Sequence, residues 1–251
     1  MISALLIGRK GSVGFPGKNT FPVLGKPLAY YPMRAALDSK EVDQVFISTD
    51  SEELMMIAKR LGIELIRRPA YLATKEARGE DTFVHGYREI VKREGVQELV
   101  VLLFCNSATV NSQLIDKAIG ILKKKPNVDS VVSVSKYNMW SPIRARKMGK
   151  DGLLHPFASF ETFGDPKKLN CDRDSQGDVY FADMSVSVVR PHCLEKIEKG
   201  MLPQKWMGRK IYPLIQEAGC DVDYEFQIGQ TEYWLKKNYK KNTTQLLAAK
   251  R

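Results

Sequence analysis

Ile2-Ser3-Ala4-Leu5-Leu6-Ile7, followed at once by Gly8-Arg9-Lys10-Gly11-Ser12-Val13-Gly14-Phe15-Pro16-Gly17-Lys18-Asn19, is the stretch from which the fold is read. Its first part is a short apolar run, which suits a buried strand. Its second part carries glycine at every third position, together with Arg9, Lys10 and Lys18. Four such repeats are too few for a collagen helix. A Walker A loop is also excluded, because its glycine spacing and its Lys-Ser/Thr ending are missing. The chemistry still points to phosphate. Gly8, Gly11, Ser12 and Gly14 let backbone N–H groups turn toward an anion. Arg9 offers a planar fork for phosphate oxygens, and Lys18 a compact point charge. A flexible loop with its basic residues in water is the plainer reading of the same pattern.

Outward from this stretch, apolar runs alternate with helical patterns. Strands are predicted at Val45–Thr49, Glu64–Ile66, 98–105 and Ser130–Ser135, with a longer alternating one at Val179–Val189. Helices are predicted at Leu28–Leu37, 52–61 behind a Ser51 cap, 80–94 and Gln113–Lys124. Further helices are predicted at 191–200 and 210–217, and a last one beginning near Asp223. This order predicts an α/β fold with a mainly parallel central sheet covered on both faces. Ligands of such sheets bind beyond the carboxyl ends of the strands, so the loop after Ile7 and the segments after Thr49 and Cys105 should share a cleft. The pattern weakens at 137–177, where Trp140, Pro142, Pro156, Gly164 and Pro166 fall. We expect one domain, 1–251, with an inserted arm or flap at 137–177.

Composition narrows the class. The chain has 251 residues, 43% hydrophobic and 27% charged, and a formal net charge of +10. That apolar fraction excludes disorder as the main state. The longest apolar run, Leu99–Cys105, is too short to span a bilayer, and the N-terminus does not read as a signal peptide. Cys105, Cys171, Cys193 and Cys220 lie far apart, and His85, His155 and His192 complete no zinc pattern. The expected setting is therefore reduced and cytoplasmic, away from membranes. Residues 1–37 carry five basic residues and no acid, and residues 231–251 carry six against Glu232, so the middle of the chain is neutral. A broad nucleic-acid surface would need more than that, and no reading motif for nucleic acid is present. The basic residues near Tyr233, Trp234 and Tyr239 keep that alternative in view.

"GRKGSVGFPGKN" and the following "FPVLGKPL" resemble the opening of the CMP-sialic acid synthetase (acylneuraminate cytidylyltransferase) family. That family's loop runs Ala-Arg-Gly-Gly-Ser-Lys-Gly-Ile-Pro-Gly-Lys-Asn. The likeness continues at Ser48-Thr49-Asp50, at Arg68-Pro69 with Leu72-Ala73, at Ser130–Val134, and at Asp221-Val222-Asp223-Tyr224-Glu225-Phe226. The resemblance implies a Rossmann-like nucleotidyltransferase fold, a homodimer with an arm reaching into the partner, and Mg²⁺-dependent transfer of CMP from CTP to an acidic sugar. It implies that Arg9 and Lys18 contact the triphosphate, that Asn19 lies against the nucleotide and Arg68 near the cytosine, and that Asp221 and Asp223 hold the metal. The chemistry agrees: Mg²⁺ takes one or two carboxylates plus phosphates and water, and residues two apart in an extended stretch point to one side. Alternatively, Asp223 caps the last helix and Asp221 is solvated.

The chain departs from the family chiefly around the acceptor. Val13 replaces a lysine. The strand that usually ends Gln-Pro-Thr-Ser-Pro-Leu-Arg here ends Phe104-Cys105-Asn106-Ser107-Ala108-Thr109-Val110, and the usual Asn-Gly before the late strand is Asp183-Met184. These departures place Asn106, Ser107 and Asp183 beside the expected acceptor. Arg144, with Arg146 and Lys147, brings positive charge on the arm, unless those charges form a solvated face. The expected acceptor is small and anionic: a nonulosonic acid or related 3-deoxy-keto-sugar acid, or alternatively a phosphonate. A CTP-binding protein without catalysis is a further alternative. His85 reads as structural, and nothing near Cys105 suggests an activated thiol.

Overall fold

The computed structural model describes residues 1–12, 14–173 and 176–248, with side chains as far as 238. Val13, two residues of the predicted arm (Asp174 and Ser175), and the terminal Ala249, Lys250 and Arg251 lie outside the described residues. In chain order the elements are β1 (Ile2–Gly8), β2 (Pro22–Val23), β3 (Lys26–Pro27), α1 (Tyr30–Leu37), β4 (Gln44–Thr49), α2 (Glu52–Leu61), β5 (Glu64–Arg67), α3 (Gly79–Glu94) and β6 (Leu99–Phe104). There follow α4 (Ser112–Lys124), β7 (Ser130–Lys136), β8 (Arg146–Met148), β9 (Leu154–Pro156), β10 (Tyr180–Val189), α5 (His192–Glu195), β11 (Ile211–Gln216) and α6 (Gln227–Ala248).

Seven strands form one sheet in the order β11-β7-β10-β6-β1-β4-β5. Strand β10 runs antiparallel to both its neighbours, and the remaining pairs are parallel. Buried strands alternate their side chains between two cores. Leu6, Ile47 and Leu103 face the cluster that includes Leu54, Ala58 and Ile115, from α2 and α4. Their neighbours Leu5, Phe46 and Leu102 face Phe83, Tyr87 and Ile90 of α3. Each such buried leucine contributes roughly 1.5–3 kcal/mol. Local signals set the helix ends. The Ser51 hydroxyl accepts from the Leu54 N–H at 3.4 Å, and Gly62 closes α2 with φ 75°. The Asn111 side chain accepts from the Leu114 N–H at 2.9 Å to start α4.

Three expectations change. Residues 210–217 form strand β11, not a helix. It is an edge strand paired only with β7, where Pro213 costs no ladder bond on the open side. The predicted helix 191–200 shortens to α5 and a 3₁₀ turn at Ile197–Lys199. The last helix starts at Gln227, whose side-chain oxygen accepts from the N–H groups of Asp223 and Tyr224 at 2.7 and 2.8 Å. Asp223 is therefore in the turn before the helix and does not cap it.

The topology positions a site. From β1 the chain moves to β4 and β5 on one side, then returns to β6 on the other. Its direction of winding switches between β1 and β6, which opens a crevice at their carboxyl ends. Strand β11, parallel to β7, also ends on that side, and hands the chain to residues 217–223. The segment between β7 and β10 leaves and re-enters the sheet there too, and carries the small β8–β9 hairpin.

Candidate active site

A cleft of about 450 Å³ lies at the carboxyl ends of β1 and β6. The structure brings to its walls Gly8, Arg9, Ser12, Gly14, Lys18 and Asn19 from the glycine loop, and Arg68, Asn106, Asp221 and Asp223 from distant segments. Close packing of the loop is what allows this. A Cβ on Gly8 would lie 2.7 Å from the Cys105 sulfur and 2.8 Å from Leu54. A Cβ on Gly14 would lie 2.8 Å from the Asp223 carbonyl oxygen, so glycine lets the loop touch the carboxylate segment. Gly17 turns the loop into a 3₁₀ turn at φ 73°. Asn19 is buried there, and its amide donates to the Arg9 carbonyl at 3.1 Å.

The electrostatics are divided. Arg9 Nη1 donates to the Thr74 carbonyl at 2.6 Å. Lys18 Nζ, largely sheltered, forms an ion pair with the more exposed Asp223. The Asp221 carboxyl is pushed up to about 6, first by burial and then by the Asp223 charge, while Lys18 acts in the opposite sense. Arg68 is buried. Its Nη2 donates to the Ser48 carbonyl at 2.7 Å, and its Nε is buried without a partner. Burial pulls this guanidinium below its ordinary value, with Asp50 opposing.

The carboxylate segment is stapled to the end of β6. Asn106 Nδ2 donates to the Val222 carbonyl at 3.0 Å and to Asp221 Oδ2 at 3.5 Å, and the Val222 N–H returns a bond to the Asn106 carbonyl at 2.9 Å. The Thr109 hydroxyl both accepts from the Cys220 N–H and donates to the Cys220 carbonyl, at 2.9 and 3.0 Å.

Four expected site residues fall elsewhere. Gly11 is exposed and does not line the cleft. Ser107 is fully buried and donates to the Cys220 carbonyl at 3.2 Å, which makes it part of the staple. Arg144 lies on the arm, where Nη2 binds the Cys171 carbonyl and the side chain lines a separate hollow with Arg146 and Phe160. Asp183 is buried outside the cleft, held by serine hydroxyls of β7. Conversely, the cleft wall includes Ile7, Leu72, Ala77, Gly79, Phe104 and Tyr224. Of these, Leu72 and Tyr224 lie in segments that carry the family resemblance and Phe104 in the strand end where the chain departs from it, whereas Ala77 and Gly79 carried no signal in the sequence. Phe104 is backed by Phe83 and Trp206, with ring centroids 5.2 and 6.0 Å away. Burial pushes the Cys105 thiol up to about 12, so it is inert at neutral pH. His85 lies half-buried on α3, outside the cleft, and burial lowers its affinity for a proton.

Comparison with known proteins identifies the family. A family model described as "Cytidylyltransferase" matches residues 4–195. The N-acylneuraminate cytidylyltransferase A of Danio rerio is 30% identical over 229 residues, covering 89% of this chain and 48% of the relative. A Helicobacter pylori protein named pseudaminic acid cytidylyltransferase and UDP-2,4-diacetamido-2,4,6-trideoxy-beta-L-altropyranose hydrolase is 29% identical over 143 residues, covering 57% of this chain and 27% of the relative. The chain thus spans about half or less of the length of the curated relatives it matches. Among solved structures, a CMP:2-keto-3-deoxy-manno-octonic acid synthetase complexed with CTP superposes with a TM-score of 0.64, at 13% identity, covering 94% of this chain and 98% of that one. That likeness shows the fold. The chain belongs to the cytidylyltransferase family.

Proposed function

We propose that this member of the cytidylyltransferase family transfers CMP from CTP to an acidic sugar and releases pyrophosphate. The observation that carries this reading is the cleft itself, which sets Arg9 and Lys18 opposite Asp221 and Asp223 at the β1–β6 switch point. An acceptor oxygen attacks the α-phosphorus, the bond to the β-phosphate oxygen breaks, and the acceptor proton passes to solvent. Charge grows on the leaving pyrophosphate, and preorganised cations beside it lower the barrier. Arg9 and Lys18 fill that role, Ser12, Gly14 and Asn19 of the glycine loop would face the phosphates, and Arg68, which lines the same cleft with Leu72 and Ala77, would face the base.

Asp221 and Asp223 fit Mg²⁺. No cluster of three or more His, Cys, Asp or Glu residues able to hold a metal occurs among the described residues, and Mg²⁺ completes its shell with phosphate oxygens and water. When bound, it neutralises phosphate charge and polarises the α-phosphate. The chain's own part is to release Asp223. Lys18 occupies that carboxylate in the free protein, and a triphosphate drawing Lys18 away makes the carboxylate available. Metal and nucleotide binding then reinforce each other.

The acceptors in the names of the relatives, acylneuraminate and pseudaminic acid, are acidic sugars. The basic cleft and the arm cations suit such an anion. On the arm, Trp140, Met148, Leu153, Leu154 and Phe157 are 63–75% exposed, a large apolar surface for a chain working alone. A second copy covering it would make the homodimer. No helix among the described residues is long and apolar enough to cross a membrane, and all four cysteines are free, which suits a reducing compartment such as the cytoplasm. The test is to incubate the protein with CTP, Mg²⁺ and a panel of acidic sugars and phosphonates. Pyrophosphate release with a sugar acid supports the reading. Release with phosphonates alone reassigns the acceptor, and CTP binding without release on any member removes the transferase activity.

A further inference from the structure

Asp183 has no role in the cleft, yet it holds an unusual position. It lies where β10 breaks register with β7 between Ala182 and Ser187. Its carboxylate is buried and has no ion-pair partner among the described residues. Four donors converge on it. Oδ1 accepts from the Ser133 hydroxyl at 2.5 Å and from the Ser185 N–H at 3.1 Å. Oδ2 accepts from the Ser135 hydroxyl at 2.8 Å and from Gln216 Nε2 at 3.0 Å. A carboxylate, with two lone-pair sites on each oxygen, accommodates all four. Because each serine gives its proton to Asp183, its oxygen is left to accept a backbone N–H: Val186 to Ser133 at 3.0 Å, and Gly219 to Ser135 at 2.9 Å.

The geometry points to Asp183 as a positioning residue for the Asp221–Asp223 pair, a buried anionic anchor acting through Ser135 and Gln216 on residues 217–223. This inference rests on the reading of those two carboxylates as the metal-holding pair. Between Gln216 and Asp221 the chain makes an irregular turn: Ala218 takes the left-handed region at φ 57°, which is uncommon for a non-glycine residue and is held by its surroundings. Cys220 is held by the Thr109 and Ser107 hydroxyls already described, and the turn before it by the Asp183 network and two satellites. Tyr137 OH donates to the Gly219 carbonyl at 3.0 Å, and Gln230 donates to the Ala218 carbonyl at 3.1 Å. Asp183 is the point where β7, β10 and the end of β11 meet this turn, so its charge polarises the bonds that deliver Asp221 to the cleft.

Asparagine at 183 keeps the shape and breaks the polarity. With its NH₂ at the Oδ1 position it opposes the Ser185 N–H, which cannot reverse. At the Oδ2 position it opposes the Gln216 amide, and flipping that amide would face its NH₂ toward the Trp234 indole N–H, now bound to Gln216 Oε1 at 3.2 Å. Gly219→Ala attacks the same joint with the charge intact, because its Cβ would lie 2.3 Å from Asp183 Oδ2.

The experiment compares wild type, Asp183→Asn and Gly219→Ala in the full chain. It reads amide hydrogen exchange, CTP affinity measured calorimetrically in EDTA, and the Mg²⁺ concentration at the midpoint of the thermal shift at saturating CTP. Exchange in 217–223 should quicken about tenfold or more while β1 and β6 keep their protection. The Mg²⁺ midpoint should rise about 10- to 100-fold, as for other residues that orient metal ligands, with CTP affinity in EDTA held within about twofold. Unchanged exchange in 217–223, protection lost equally across β1 and β6, or a Mg²⁺ midpoint that stays put would each overturn the proposal. If Asp183→Asn does not fold, Gly219→Ala decides alone. The exchange readout needs neither ligand nor turnover, so a protein that transfers nothing to any acceptor would refute the transferase reading and still leave the grip of Asp183 on the turn measurable.

Discussion

Replacing Asp221 with asparagine should make the free protein more stable while removing its chemistry. The Asp221 carboxyl is held near 6 against an ordinary 3.8, first by burial and second by the neighbouring Asp223 charge, with Lys18 only partly offsetting them. A native-state value above the unfolded one means that ionisation costs the folded protein free energy. The penalty is absent below the ordinary carboxylate value, grows as pH rises between the two values, and is complete above about 6. A shift of this size corresponds to on the order of 3 kcal/mol, and partial solvent access reduces it to about 1–2 kcal/mol. Asparagine has no charge to desolvate, and its carbonyl oxygen can keep the Asn106 contact. At about pH 7.5, Asp221→Asn should therefore melt roughly 2–8 °C higher than wild type, and the two curves should converge as pH falls toward about 4. Pyrophosphate release should be lost in the same variant. A lower melting temperature for Asp221→Asn at neutral pH, or a difference that does not change with pH, would refute the strain at this carboxylate.

Lys18→Met should fold normally, since its ion pair with Asp223 is partly exposed and worth at most about 1 kcal/mol, yet turnover should fall about 10²–10³-fold; stopped-assay pyrophosphate release against a melting curve separates the two effects. The same variant should bind Mg²⁺ more tightly than wild type in the absence of nucleotide, because Asp223 no longer has a resident cation; calorimetry reads this, and weaker binding would count against the exchange of Lys18 for metal. Gly8→Ala drives a methyl group into Cys105 and Leu54 and should cost about 1–3 kcal/mol, measured by urea denaturation. Leu154→Glu, on the exposed apolar arm, should shift the proposed homodimer to a monomer in sedimentation without lowering the melting temperature of the monomer by more than a few degrees; a wild type that sediments as a monomer would count against the arm as the dimer contact.

The parts of the fold that were legible in the sequence are those in which burial and local chemistry agree. The runs Ile2–Ile7 and 98–105 read as buried strands because both faces are covered, and Ser51 marks the start of α2 from the sequence alone. Strand β11 was misread because its solvent-facing edge tolerates Pro213 and mixed polarity, which blurs the period of two. Within the site, the glycine loop stood out by its residue types and the Asp221–Asp223 pair by its place in the family resemblance, and the structure brings both to one cleft. Leu72 and Phe104 fell within motif segments without being read as cleft wall, and Ala77 carried no signal, since an apolar wall imposes no particular residue type. Asp183 was placed beside the acceptor by position in the motif. Only the register break in β10 reveals that its carboxylate turns inward to Ser133 and Ser135.

Lys136 and Tyr180 face each other across β7 and β10, and everything between them leaves the sheet and comes back at neighbouring points. Paired residues of adjacent antiparallel strands sit about 5 Å apart, a gap that a tight turn could close. The excursion is thus a cassette in the architectural sense. Residues can be gained, lost or exchanged within it without sliding any strand, and the entropy of a longer loop rises only by about 0.6 kcal/mol per doubling. The cleft is anchored to β1, β6 and β11 and has no such freedom. One chain therefore combines a cleft whose geometry is locked by the sheet with a peripheral excursion whose length and sequence the sheet leaves free.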